Sequence, residues 1–225
     1  MEQTKKHEKL WIFLYIAFSF LFLVAFILLS MLVEPFAAFS GAHPYLMGFF
    51  KFALLATAGE LISCRMASGK WAAPSYILAR WLIWGVIGIW ITYMMKIFGT
   101  GVAGLMGVGL LPSVSIPWLQ TLLRAFFISV TMNVCFAPTF MAVHKCSDTY
   151  LALRAEKQGK VTLFEVISAI DFRRFVSFTL FKTVPLFWIP AHTVTFLLPS
   201  QYQVILAASL SVALGIILNL NRKGS

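Results

Sequence analysis

Long apolar stretches recur along the chain, separated by short segments that carry its charge or its glycines and prolines. Six of them are predicted as helices: 10–33, 46–64, 81–98, 118–143, 183–198 and 203–220. About 20 apolar residues in helical conformation cross a hydrocarbon core roughly 30 Å thick, and the stretches are close to that length. Their few polar and small residues recur at helical spacing. Ala53, Ala56, Thr57, Glu60 and Cys64 share one face of the second stretch, and Lys51 is expected to point the other way. Trp81, Gly85, Gly88, Thr92 and Lys96 form a stripe on the third. On the fourth, Gln120, Arg124, Thr131 and Cys135 share one side, and Ser129 and Asn133 the other. Trp188, His192 and Thr195 share a face of the fifth, and Ala208, Ser211, Gly215 and Asn219 one of the sixth. Small and polar stripes are what membrane helices present to one another. The first stretch has only Tyr15, Ser19 and Ser30 as polar side chains, a composition suited to lipid.

The connections differ in kind. Segment 34–45 is predicted as a loop and 199–202 as a tight hairpin. Segment 99–117, rich in glycine and uncharged, is expected as an apolar interfacial loop, with re-entry into the membrane as its alternative. Pro138 is expected to kink the fourth helix, and Pro185 and Pro190 to break the fifth. In the polar segment 144–182, Asp148 is expected to cap a short helix ending at Gly159. Thr162 and Glu165 then form a capping-box pattern. It opens a stripe of Leu163, Val166, Ile167 and Ile170, a helix lying on the membrane surface or packed under the bundle.

Charge fixes an orientation. Fifteen of the 18 Lys and Arg fall in the N-terminal tail, 65–80, 144–182 and the C-terminus, and none in 34–45, 99–117 or 199–202. This alternation puts both termini on the cytoplasmic side. The net charge of +10 is therefore topological and does not suggest a nucleic-acid partner. With 60% hydrophobic and 12% charged residues, the chain reads as one integral membrane domain over 1–225, an all-α polytopic bundle of six transmembrane helices. Its first apolar run exceeds the roughly 7–15 residues of a signal-peptide core and is read as an uncleaved helix. Three cysteines make no disulfide framework.

Few residues carry chemistry. Glu60 is the one acidic residue well inside an apolar stretch, where an ionisable group needs a partner; Asn133 at similar depth and Arg80 from below are the candidates. Lys51, Lys96 and Arg124 sit toward the outer helix ends, either snorkelling to the interface or forming a positive vestibule for anionic solutes. His192 is a pore-lining candidate or a packing residue. Cys64, His144 and Cys146 match no metal-binding spacing, and no metal or cofactor is expected. Without a phosphate-binding loop, nucleophile elbow or nucleophile–base set, the chain is not read as an enzyme.

Several segments line up in order with known motifs. Pro44 precedes Gly59-Glu60-Leu61-Ile62-Ser63-Cys64; Arg80 precedes Gly88-Ile89-Trp90-Ile91-Thr92-Tyr93; then come Asn133 with Ala137-Pro138, and Trp188, His192, Thr195, Phe196, Pro199, Tyr202 and Gln203. Over about 44–220 the chain resembles the Mpv-seventeen and peroxisomal-membrane-protein (PMP-twenty-two) family, as a remote, bacterial member. The first helix lies outside the resemblance. Many polar identities differ: Glu60 stands for an aspartate, Cys64 and Asn133 for glutamines, Thr92 for a histidine, Met132 for an aspartate, His192 for a glutamine, Thr195 for an asparagine and Gln203 for an arginine. The resemblance implies a membrane channel for small solutes, here in a bacterial inner membrane, or in an organelle membrane if eukaryotic. Pore-lining or gating candidates are Glu60 and Asn133 on the inner side and Thr92, Lys96, His192 and Thr195 toward the outer side. The alternative is a non-transporting scaffold or assembly protein, whose basic segment 145–182 binds anionic lipid headgroups or a partner. Either form is compatible with a homo-oligomer.

Overall fold

The computed structural model describes residues 34–69, 74–157 and 159–223, and every regular element in them is helical. The predicted first span, 10–33, lies outside the described residues. The helices are α1 (Glu34–Ala42), α2 (Pro44–Ser68), α3 (Ile77–Gly107), α4 (Pro117–Cys135), α5 (Ala137–Lys157), α6 (Leu163–Ala169) and the single turn α7 (Phe172–Arg174). A π-helical segment, Phe175–Trp188, leads into α8 (Ile189–Leu197), and α9 is Ser200–Lys223. Two stretches, Pro44–Met66 and Ile77–Gly107, are long and apolar enough to cross a membrane; α4 and α5, bent by 48°, make a third if they count as one span.

Local sequence explains the ends. Pro44 stands at the start of α2, where its missing N–H costs nothing. Gly69, at φ 73°, closes α2 in the left-handed conformation that glycine adopts without strain. The α4/α5 break falls at Phe136, beside Pro138, so the expected kink is present and sharper than a bend. Pro185 lies within the π-helical turns, where Ile189 N–H donates to Val184 O five residues back. A wider turn relieves the clash between a proline ring and the preceding carbonyl.

Three expected connections are different in the fold. Segment 34–45 is mostly helix α1. The glycine-rich stretch does not begin a loop at residue 99, because α3 continues to Gly107. Gly99, Gly101, Gly104 and Gly107 have nothing near the place a Cβ would occupy, so neither a turn nor packing requires them. Helical hydrogen bonding in apolar surroundings outweighs the roughly 0.5–1 kcal/mol that each glycine costs. Asp148 caps nothing; it lies inside α5.

Helix α2 packs against α3 and α9, and α4 packs against α8. The α2–α3 contact is backbone on backbone: a Cβ on Gly88 would lie 2.3 Å from Gly48 O. Large apolar side chains also face outward, with Phe181 76% and Leu186 71% exposed, as suits a surface against lipid.

Candidate functional site: two cavities on one set of helices

Where α3, α4, α8 and α9 converge, the bundle holds two cavities, one toward each end. The first lies beside the α8–α9 hairpin and has a volume of about 810 Å³. Lys51, Lys96 and Arg124 all line it, with Ser40, Thr92 and Gln120. Among the described residues, no acidic side chain lines it. Lys51 does not point away, as the helical wheel suggests. Its side chain is buried, and Nζ donates to Gln201 O at 3.2 Å, tying α2 to the hairpin. Its ammonium also lies 5.5 Å from the centre of the Phe36 ring. Among the described residues, Lys96 and Arg124 have no hydrogen-bond or ion-pair partner. Thr92 is committed to its own helix, donating to Gly88 O at 2.7 Å. Gln120 accepts from Val114 N–H at 2.8 Å and holds the turn before α4. Gln203 donates to Leu198 O at 2.9 Å and closes the hairpin.

The second cavity, about 450 Å³, is mostly apolar, and the hydrogen-bonded pair Asn133 and His192 lies in its lining. Asn133 Nδ2 lies 3.0 Å and Oδ1 3.2 Å from His192 Nδ1, so the amide serves either tautomer of the ring. Nδ2 also donates to Ser129 O at 2.8 Å. Ser129 Oγ donates to Ile189 O at 2.7 Å, fastening α4 to α8. Trp188 stacks on His192 with ring centres 5.2 Å apart.

At the mouth of this cavity is a charged cluster. Arg80 Nη1 donates to Glu60 Oε2 at 3.1 Å and to Asp148 Oδ1 at 2.9 Å. Trp84 Nε1 donates to Glu60 Oε1 at 2.6 Å, and His144 Nδ1 lies 3.4 Å from Asp148 Oδ2. Glu60, His144 and Asp148 offer ligand atoms within 4.8 Å of one another, but the Arg80 guanidinium already bridges the two carboxylates. The cluster is thus satisfied as an ion-pair network, and a metal there would meet a cation.

The expected site residues separate accordingly. Thr92 and Lys96 line the hairpin cavity, and Asn133 and His192 the histidine cavity. His192 therefore belongs with Asn133 and not with the outer group. Glu60 pairs with Arg80, as expected, and not with Asn133. Thr195 is fully buried, donates to Ala191 O at 3.0 Å, and lines neither cavity. Trp84 bonds Glu60 directly, and Asp148, with His144 beside it, joins through Arg80; the polar stripes along the chain point to none of the three. Their spacings, Arg80 to Trp84 and His144 to Asp148, each four residues on one helix, are the available signal.

One helical turn separates the cavities. Ile91 and Met132 line one and Met95 and Ile128 the other, as do His192 and Phe196 on α8. Ile91, Met95, Ile128, Met132 and Phe196 are all buried in the apolar core. At about 5.4 Å per turn, the layer between the cavities is thin.

No family model matches the chain, and no curated protein and no solved structure matches it.

Proposed function

We propose that the chain is an integral membrane protein of six transmembrane helices, with both termini cytoplasmic, that conducts or carries small solutes. One observation carries this reading: two cavities stacked on the same helices and separated by a single turn of apolar side chains. Such an arrangement is a path with a closed apolar constriction, of the kind that gates by dewetting. The positive-inside pattern puts the hairpin cavity on the outer side and the histidine cavity on the inner side. The resemblance of its motif order to the Mpv-seventeen and PMP-twenty-two family supports the same activity, which we assign to a bacterial inner membrane.

Solute flux into liposomes containing purified protein tests it. Wild-type protein is expected to raise flux above protein-free liposomes, and Lys96→Met and His192→Ala to change it while folding normally. No flux above empty liposomes, for neutral and charged small solutes alike, overturns the reading.

A second reading rests on α6. Its Leu163 and Phe164 are 69% and 80% exposed, next to Lys157 and Lys160, a surface suited to anionic headgroups in a scaffold or assembly protein. Under that reading Leu163→Ser with Phe164→Ser weakens binding to anionic vesicles and no flux is found.

A further inference from the structure

We propose that the hairpin cavity is a binding site for an oxyanion, a phosphate or carboxylate group borne by a small solute or by a lipid headgroup. The proposal rests on the transport reading for its biological role and not for its chemistry. Three cationic side chains from three helices, Lys51 of α2, Lys96 of α3 and Arg124 of α4, line one space, and among the described residues no carboxylate lines it with them. Lys51 is only 7% exposed, and among the described residues the hydrogen bond of its ammonium goes to a neutral carbonyl and no carboxylate pairs with it. Such a charge is costly unless paired. Ser40 also lines the cavity and is 4% exposed, and its Oγ has no hydrogen-bond partner among the described residues.

The remaining donors are placed for the same purpose. Lys96 and Arg124 are exposed into the cavity and without partners among the described residues, whereas Gln120 and Gln203 are spent on holding loops. Arginine offers a planar fork matched to phosphate and carboxylate oxygens, and lysine a movable point charge. A concave site with walls of low dielectric concentrates this field. The volume, about 810 Å³, lies within the range of small-molecule sites and well above that of a lone halide. The Glu60–Arg80–Asp148 cluster is excluded from this role because its cation is already paired.

The probes are pyrophosphate and citrate, titrated calorimetrically into full-length protein in a neutral, lipid-depleted detergent. Saturable binding that weakens with salt is expected. Lys96→Met and Arg124→Met are each expected to weaken it about tenfold or more, and Lys96→Arg to retain it. Lys182→Met, on the π-helical segment outside the cavity, serves as the unchanged control. Repeating the titration in phosphatidylcholine and in phosphatidylglycerol nanodiscs identifies the source: competition by phosphatidylglycerol assigns the site to a lipid phosphate, and its absence to a free solute. Either source upholds the oxyanion site. No binding by folded wild-type protein, or binding unaffected by both Met substitutions, overturns it. Binding without any flux would uphold the site and remove the transport reading; flux of neutral solutes without oxyanion binding would do the reverse.

Discussion

At the scale of single residues, the polar groups in this bundle fall into two kinds: those whose partners lie within the chain and those that face a cavity. Glu60 is of the first kind. Its carboxylate takes hydrogen bonds from Trp84 and Arg80, and the same guanidinium reaches Asp148. Arg80→Met leaves the two carboxylates without their shared cation, a loss of about 1.5–3 kcal/mol for each charged hydrogen bond. Thermal unfolding in detergent is expected to show a clear drop, and adding Glu60→Gln and Asp148→Asn to recover part of it. A fully additive triple variant would mean that the three groups act independently. Lys96 and Arg124 are of the second kind, and Lys51 joins them in the cavity with the Gln201 carbonyl as its partner; among the described residues no carboxylate lines that cavity.

At the scale of elements, the strongest local signal was the capping box. Glu165 N–H donates to Thr162 Oγ1 at 3.3 Å, and Thr162 N–H donates to Glu165 Oε2 at 2.8 Å. The ammonium of Lys157, the Thr162 N–H and the Thr162 hydroxyl together lower the Glu165 pKa from 4.5 to about 2. A carboxyl whose pKa is lowered by folding stabilises the fold above its unfolded value and loses that contribution as pH falls through its folded value. Hydrogen exchange at the first amides of α6 is therefore expected to be protected near pH 5 and to lose protection toward pH 2, after correction for the intrinsic rate. Glu165→Gln should remove most of this pH dependence, and an unchanged profile in that variant would refute the assignment. Of the apolar stripe that opens there, Val166 and Ile170 are buried while Leu163 and Ile167 are exposed, so it is divided between packing under the bundle and an open surface.

At the scale of the whole molecule, the proposed transport makes the apolar turn between the cavities the layer that would have to open. Met95 and Phe196 are 5% and 9% exposed and carry much of its bulk. Met95→Ala and Phe196→Ala are expected to raise basal flux, at a cost of about 2–5 kcal/mol in stability. The check is flux in liposomes with folding monitored in parallel; variants that fold and remain as tight as wild type would remove this layer as the gate.

The chain's own pattern determined that the structure is helical, where most helices lie, the sharp break near Pro138 and the capping box, and it offered Arg80 as one of two candidate partners of Glu60. These depend on short-range causes: helical spacing, proline's missing N–H, and side chains reaching their own backbone. Segment 34–45 and the glycine-rich stretch misled, because glycine and proline counts report intrinsic preference, whereas apolar surroundings favour continued helical hydrogen bonding. Only the tertiary structure decided that Lys51 turns toward Lys96 and Arg124, that His192 meets Asn133, and that Thr195 is sealed within the packing. A helical wheel gives a side chain's direction from its axis, but not the positions of the other axes. Long, flexible lysine and arginine side chains then go where the packed helices leave room for a charge.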